Sequence, residues 1–339
     1  INAADTTATA TVAATTTGTI WKFKGHDIYT IQMAPVDDDD NDDKKASAVL
    51  LIHGFGCSST YWRKLIASLT KNGYNVHALD LLGQGKSSKP GRAEGIEYSI
   101  NLWAELVDAY ISENMREHPH IILGGNSLGS LVALAATTRD FSADTLMNEK
   151  IKGLCMFNCG VGLNFRGIAE EDQWNPFQKF VINVLYIILD RLIFRNQLLL
   201  TYVLDNVVTK DLLRDTLQNL YKHSPESVDQ ELVDSFYFPA KDKGSPEALS
   251  QIYSNDPGRT PMELIAKYDV NHIPIHLIWG DTDVVTPVEG GTGQFFRTLA
   301  NNPESNVTFD LISPSGHIPF DDNPKASNGA MLRWLENIE

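Results

Sequence analysis

Alternation of apolar and polar positions is clear at both ends of the chain and fades in the middle. Residues 19–23 and 27–33 alternate around Lys24-Gly25, which predicts a β-hairpin. Ala48-Val49-Leu50-Leu51-Ile52 is apolar at every position, the pattern of a strand buried on both faces. A helical stretch follows from Tyr61 to about Leu69, then a strand at 76–79. That strand ends at Asp80 and the glycine-rich turn Leu82-Gly83-Gln84-Gly85. A helix over about 101–115, a strand at 121–123, a small-residue helix at 131–138 and a strand at 154–158 come next. From about 161 to 265 the pattern is mostly helical, with breaks at Pro176, Pro225, Pro239, Pro246, Pro257 and Pro261. Strands resume at 275–279 and 307–312, with a helix between them and a last helix over about 325–337.

Strand–helix alternation on both sides of a helical insertion predicts an α/β fold. Its central sheet is mostly parallel, and a helical cap is inserted after the sixth strand. The expected organisation is a core of residues 19–160 and 270–339 with a cap or lid at 161–269. Residues 1–18, rich in Ala and Thr and without a basic residue, read as a disordered leader remnant. Such a segment suits the tail of an organelle-targeting peptide and equally a plain flexible terminus.

Charge narrows the choice of partner. The formal net charge of −15 argues against nucleic acid, because phosphate binding needs clustered Lys and Arg. The run Asp37-Asp38-Asp39-Asp40-Asn41-Asp42-Asp43 reads as a solvated loop, since it lacks the Gly and the later Glu of an EF-hand calcium loop. Three cysteines, Cys57, Cys155 and Cys159, do not make a disulfide framework. The latter two, on one strand, stand about 13 Å apart, beyond disulfide reach. Neither a CxxC nor an HExxH pattern occurs, so no metal and no cofactor is expected.

Candidate chemistry centres on Gly125-Asn126-Ser127-Leu128-Gly129, a G-x-S-x-G run between a buried strand and a small-residue helix. In that context a strained turn lifts the serine hydroxyl above the sheet, and bulk two residues before or after would collide with the neighbouring strand and helix. The helix N-terminus that follows favours developing negative charge. A serine hydroxyl needs a base. His317, in Ser315-Gly316-His317-Ile318-Pro319 beyond the last strand, is the histidine placed for it among the nine. Trp279-Gly280-Asp281-Thr282-Asp283 offers two acids; spacing favours Asp283 to orient the imidazole, with Asp281 bracing the turn. The amides of Leu128 and of Phe55, in His53-Gly54-Phe55-Gly56, are the candidate oxyanion hole.

The run of residues 180–194, FVINVLYIILDRLIF, is too short and too polar to span a bilayer. It reads as a cap helix packed on the core, or one whose apolar face lines a greasy pocket or makes peripheral contact with a membrane. Asn126, Phe180, Leu185 and Ile188 are the candidate substrate contacts. The expected partner is a hydrophobic small-molecule ester.

The core, roughly 18–160 and 270–339, resembles the α/β-hydrolase superfamily. Within it, GNSLG at 125–129, Asp80-Leu81-Leu82-Gly83-Gln84-Gly85-Lys86-Ser87 and ISPSGHIPFDDNP at 312–324 look like plastid pheophytinase-type and chlorophyllase-type esterases. Ser130 stands where pheophytinases carry glycine. The resemblance implies a triad of Ser127, Asp283 and His317, cleavage of the phytyl ester of chlorophyll or a chlorophyll derivative, and a chloroplast location; without it, a soluble intracellular protein is expected. A general lipase or esterase and a carbon–carbon bond hydrolase use the same residues. Epoxide hydrolases and haloalkane dehalogenases need an aspartate nucleophile, which Ser127 argues against. A non-catalytic binding protein of the same fold can retain the whole triad.

Overall fold

A left-handed turn at Lys24 and Gly25 folds β1 (Thr19–Phe23) back on β2 (His26–Met33), antiparallel, with Trp21 opposite Ile28. The computed structural model describes residues 18–36, 47–138, 150–164, 175–267 and 273–338. The acidic run at 37–43 and residues 1–17 of the expected leader lie outside the described residues. Six further strands complete the sheet: β3 (Ser47–Ile52), β4 (Asn75–Leu79), β5 (His120–Asn126), β6 (Ile151–Phe157), β7 (Ile275–Gly280) and β8 (Val307–Ile312). The order is β1-β2-β4-β3-β5-β6-β7-β8. β2 meets β4 antiparallel, and every later pair is parallel.

β3 is buried along its whole length because both faces of the sheet are covered. Successive side chains point to opposite sides. Ala48, Leu50 and Ile52 pack with Trp103 of α2 (Ile100–Asn114) and the aliphatic residues of α3 (Leu128–Ala136). Val49 and Leu51 pack on the other face with Leu65 and Leu69 of α1 (Arg63–Lys71). α2 starts where the Ser99 hydroxyl accepts the Leu102 N–H (3.1 Å), a standard N-cap.

Between β6 and β7 the described chain is helical: α4 (Pro176–Leu189), α5 (Gln197–Tyr202), α6 (Lys210–Leu220), α7 (Gln230–Ala240), α8 (Ser245–Ser254) and α9 (Pro261–Lys267). π-helical turns at Asp190–Phe194 and Val203–Val207 extend α4 and α5. Proline does not always break this region. Pro239 sits inside the last turn of α7, while Pro176 and Pro246 open α4 and α8, where a missing N–H costs nothing. α10 (Gly291–Ala300), α11 (Pro319–Asp322) and α12 (Pro324–Ile338) complete the fold, with Met331 and Trp334 of α12 in the core and Trp334 stacked on His276 of β7. Among the described residues no helix is long and apolar enough to cross a membrane.

His77 on β4 is buried against the Tyr110 hydroxyl, 3.0 Å from Nδ1. Burial, aided by His118, lowers its pKa to about 4. The unfolded chain therefore binds this proton more readily below about pH 6.5, so the stability present above that pH is lost as pH falls toward about 4. Urea unfolding at pH 7.5 and pH 5 should show His77→Gln losing about 2 kcal/mol less between the two than the unaltered protein.

Candidate active site

Ser127 stands between the end of β5 and the start of α3 with φ 54° and ψ −119°, a backbone conformation that residues with a side chain rarely adopt. The surrounding atoms explain how it is held. A Cβ on Gly129 would lie 2.1 Å from the Ile52 carbonyl oxygen, and one on Gly125 would lie 2.4 Å from that of Gly129. Strand and helix thus meet at backbone contact, and the turn between them has no room to relax. Its amide donates to the Phe157 carbonyl (3.0 Å), and its carbonyl accepts from Gly160 N–H (3.0 Å). Ser130 is buried, its hydroxyl donating to the Gly125 carbonyl at 2.8 Å, so the hydroxyl is satisfied within the turn.

The loop after β8 carries His317, whose Nδ1–H donates to Asp283 Oδ2 at 2.7 Å. Asp283 is buried, and the same oxygen receives Thr286 Oγ1–H (2.7 Å) and Asn158 Nδ2–H (2.5 Å). The amides of Val285 (2.7 Å) and Thr286 (3.2 Å) donate to Oδ1. Burial by itself raises this carboxyl's pKa; facing His317 and the donors outweigh it, and the pKa lies below the ordinary carboxylate value. Asp283 is therefore ionised at neutral pH. Asp281, the other acid, accepts from the Ser315 amide (3.0 Å) and braces the turn before the histidine.

Asn126 links the two halves of the site. Expected at the substrate, it is instead buried. Nδ2 donates to the backbone carbonyls of Phe157 and His317, each at 3.1 Å, and Oδ1 accepts from the Tyr61 hydroxyl at 3.2 Å. Tyr61 also accepts the Gly54 N–H (2.8 Å), which fixes the loop after β3. A Cβ on Gly54 would sit 3.3 Å from Ser127 Cβ, so this loop lies directly against the nucleophile turn. Phe55 follows, half-exposed, its ring edge-on to Tyr253 of α8 (5.3 Å between centroids). Leu128 opens α3 beside Ser127 and is buried. His53 turns away from the site: Nδ1–H donates to the Gly54 carbonyl (2.6 Å) and Nε2 accepts the Leu81 N–H (3.0 Å).

Phe180, Leu185 and Ile188 do not meet these residues in a buried pocket; they are 65%, 55% and 47% exposed. α4 buries another stripe. Lys179, Ile182, Tyr186 and Leu189, at helical spacing, with Asp190 just beyond, are the covered or half-covered positions, and the Tyr186 hydroxyl donates to the Tyr253 carbonyl (2.5 Å).

Other contributors carry weaker sequence signals. Asn158, left-handed at φ 45°, follows β6 as an isolated amide after an apolar run, and it grips Asp283 and, through Oδ1, the Gly280 N–H (3.2 Å). The pair Asp321-Asp322, just beyond His317, is fully buried. The Asp322 carboxylate accepts from the amides of Gly316 (2.8 Å), Lys222 (2.9 Å), His223 (2.9 Å) and Ser224 (2.8 Å). Asp321 accepts from the Tyr221 hydroxyl (2.8 Å) and Arg63 Nε–H (3.3 Å). The His317 amide donates to the Leu220 carbonyl (3.2 Å), so the histidine loop is bound directly to the C-terminal end of α6.

A strained serine at a strand-to-helix turn, with a histidine–carboxylate pair on later loops, is the arrangement of one large family. The model of the alpha/beta hydrolase family matches residues 49–330, and the chain belongs to that family. It is 24% identical over 329 residues to the chloroplastic pheophytinase of Arabidopsis thaliana, a match spanning 87% of this chain and 62% of the relative, less than two thirds of its length. Two solved structures share the fold. The bromoperoxidase of Bacillus anthracis superposes with a TM-score of 0.65 at 17% identity, covering 94% of this chain and 100% of that one. The meta-cleavage product hydrolase of Pseudomonas fluorescens IP01 gives 0.64 at 17% identity, covering 95% and 98%.

The close contact at Gly129 has a direct consequence. Gly129→Val should destabilise the protein by about 3 kcal/mol or leave it insoluble, because the new side chain meets strand backbone that cannot move aside. Thermal unfolding of the variant beside the unaltered protein measures this, and an unchanged midpoint contradicts the packing described.

Proposed function

We propose that the protein is a serine carboxylic-ester hydrolase in which Ser127 is the nucleophile, His317 the base and Asp283 the orienting acid. The observation that carries this reading is the strained Ser127 turn, joined through Asn126 to a histidine whose ring is held by an ionised carboxylate. Ser127 Oγ adds to the ester carbonyl carbon as its proton passes to His317 Nε2. The amides of Leu128 and Phe55 receive the oxyanion. The tetrahedral intermediate collapses, the C–O bond to the alcohol breaks, and the imidazolium returns the proton to the leaving oxygen. Water, deprotonated by His317, then releases the acid and restores Ser127. Asp283 holds Nδ1–H toward itself and leaves Nε2 free to accept.

The substrate in this proposal is a large hydrophobic ester, specifically the phytyl ester of chlorophyll or a chlorophyll derivative, and the compartment is the chloroplast. Likeness to the Arabidopsis pheophytinase supports both. Incubation with chlorophyll a and with pheophytin a, followed by chromatography, should release phytol, and Ser127→Ala should abolish release. Asp283→Asn should lower kcat by about 10⁴-fold, the scale seen for this change in a serine protease triad, with Asp281→Asn costing far less. Turnover of p-nitrophenyl esters but of neither pigment removes the pigment assignment and keeps the hydrolase. Failure of Ser127 to label with a fluorophosphonate removes both.

The same reading has the protein making peripheral contact with a lipid surface through the helical insertion. Phe177, Phe180, Leu185, Leu192, Leu198 and Tyr202 expose large apolar side chains on α4, its extension and α5. In a chain of net charge −15, this region bears Lys179, Arg191 and Arg195 against Asp190, which is buried and paired with Arg195 at 2.7 Å, and Asp205. Glu170, Glu171 and Asp172 precede this stretch in the sequence, so it is the exposed apolar side chains rather than charge that suit a membrane interface. Sedimentation with vesicles of phosphatidylglycerol should carry the protein down, and the double variant Phe180→Asp, Leu185→Asp should stay in solution. A dimer in ultracentrifugation that the double variant dissolves, without vesicle binding, assigns the face to a second copy instead.

A further inference from the structure

We propose that the Tyr61 hydroxyl is a positioning group for ester hydrolysis, holding the oxyanion loop and the histidine loop in register with Ser127. The inference rests on the ester-hydrolase reading, in which the Phe55 amide is one of the oxyanion donors. It adds to the reaction a residue outside the triad, from the short helical turn Ser59–Trp62.

One phenol oxygen serves both loops. It accepts the Gly54 N–H at 2.8 Å and donates to Asn126 Oδ1 at 3.2 Å. The direction of each bond is set. Asn126 Nδ2 faces the carbonyls of Phe157 and His317, so Oδ1 is the end turned to Tyr61, and the single hydroxyl proton goes to it. A continuous chain therefore runs from Gly54 N–H through Tyr61 and Asn126 to the His317 carbonyl. The ring makes a second link, edge-on to Phe320, three residues beyond His317, at 4.9 Å between centroids. Tyr61 is itself immobilised. It is fully buried, packs edge-on to Trp62 (4.8 Å), and sits in a turn pinned where the Ser59 N–H donates to the buried Asp80 carboxylate (2.6 Å). Burial pushes the phenol's pKa well above its ordinary value, so the proton given to Asn126 is retained.

Peptide geometry carries this hold to the oxyanion donor. The Gly54 carbonyl accepts His53 Nδ1–H (2.6 Å) and the Cys57 N–H (3.3 Å). The Gly54–Phe55 peptide is trans and planar, so the Phe55 N–H points opposite to that carbonyl, away from His53. It donates to no other group among the described residues. Tyr61 fixes the peptide plane before Gly54, and His53 fixes the plane after it. Without the hydroxyl, the first plane turns about a glycine, the residue least able to resist rotation. Loss of an oxyanion donor costs about 100- to 1000-fold, and a misplacement of about 1 Å costs about 100-fold. A loosened donor costs less than a deleted one.

Tyr61→Phe removes one oxygen and keeps the ring against Phe320. Rates are taken per active serine, counted by fluorophosphonate titration, so that a smaller folded fraction does not enter. With p-nitrophenyl butyrate, kcat should fall about ten- to a hundredfold while KM changes less than about twofold. Butylboronic acid, whose tetrahedral serine adduct places an oxygen in the hole, should bind about tenfold or more weakly. If Tyr61 only packs, each folded molecule keeps its kcat, and unchanged kcat with unchanged boronate affinity overturns the proposal. A loss confined to KM overturns it as well. Asn126→Ala cuts the same chain, so the double variant should lose less than the product of the two single losses, and a full product overturns the link between the loops. Should Tyr61→Phe not fold, amide hydrogen exchange of the unaltered protein decides: Gly54 N–H exchanging as slowly as the amides of β3 supports the hold, and rapid exchange overturns it. A protein that neither labels nor hydrolyses any ester removes the hydrolase reading and this proposal together. A labelled, active protein indifferent to Tyr61→Phe removes this proposal alone.

Discussion

Backbone contact between β3 and α3 is the constraint from which the site follows. The helix approaches so closely that the positions two before and two after Ser127 have no space for a Cβ, and the single residue at the apex is driven into a left-handed conformation. Such a conformation costs on the order of 1–3 kcal/mol and persists only where the surroundings over-determine it. Here they do. The Ser127 amide and carbonyl are bonded to the chain leaving β6, and the strands on either side are buried on both faces. Local strain at the serine is thus supported by the core of the sheet.

The histidine loop is held by a different means. It leaves the edge strand β8, and polar contacts fix it together with Ile318 and Phe320, which are buried in the core, Phe320 stacked on Trp62. Asp283 holds the ring, Asn126 and Leu220 hold the backbone, and Asp322 gathers the amides of Gly316 and of residues 222–224. Buried carboxylates are tolerable only when their oxygens are well supplied with donors, and both Asp283 and Asp322 are. A consequence is that the chain after α6 and the histidine loop form one hydrogen-bonded unit. A displacement of that part of the insertion moves the histidine with it.

The helical insertion divides its apolar residues between two uses. Leu204, Leu217, Leu232 and Ile252 are buried, while the outer positions of α4 and α5 remain exposed. Facing inward, the insertion walls a cavity beside Phe55 and stacks Phe194 on Tyr253 (4.4 Å between centroids), which in turn meets Phe55. Exposed apolar surface contributes nothing to folding, and the lipid contact proposed above is what would cover it.

The sequence by itself determined the sheet, its flanking helices, the helical character of the insertion and the residues around which chemistry was sought. Those features rest on local periodicity, on turn glycines and on one short motif whose context was visible in the chain. Spacing already favoured Asp283 over Asp281, and the turn after β7 directs the two carboxylates accordingly, Asp283 to His317 and Asp281 to the Ser315 amide. Two things were decided only in space. Asn126 turns inward and serves as a brace because its partners, Tyr61, Phe157 and His317, come from distant parts of the chain. Phe180, Leu185 and Ile188 point outward because α4 buries the stripe through Tyr186, and a helix apolar nearly all round gives no hint in its sequence of which face it will bury. Periodicity reports what a segment can bury, and only the surrounding elements decide what it meets.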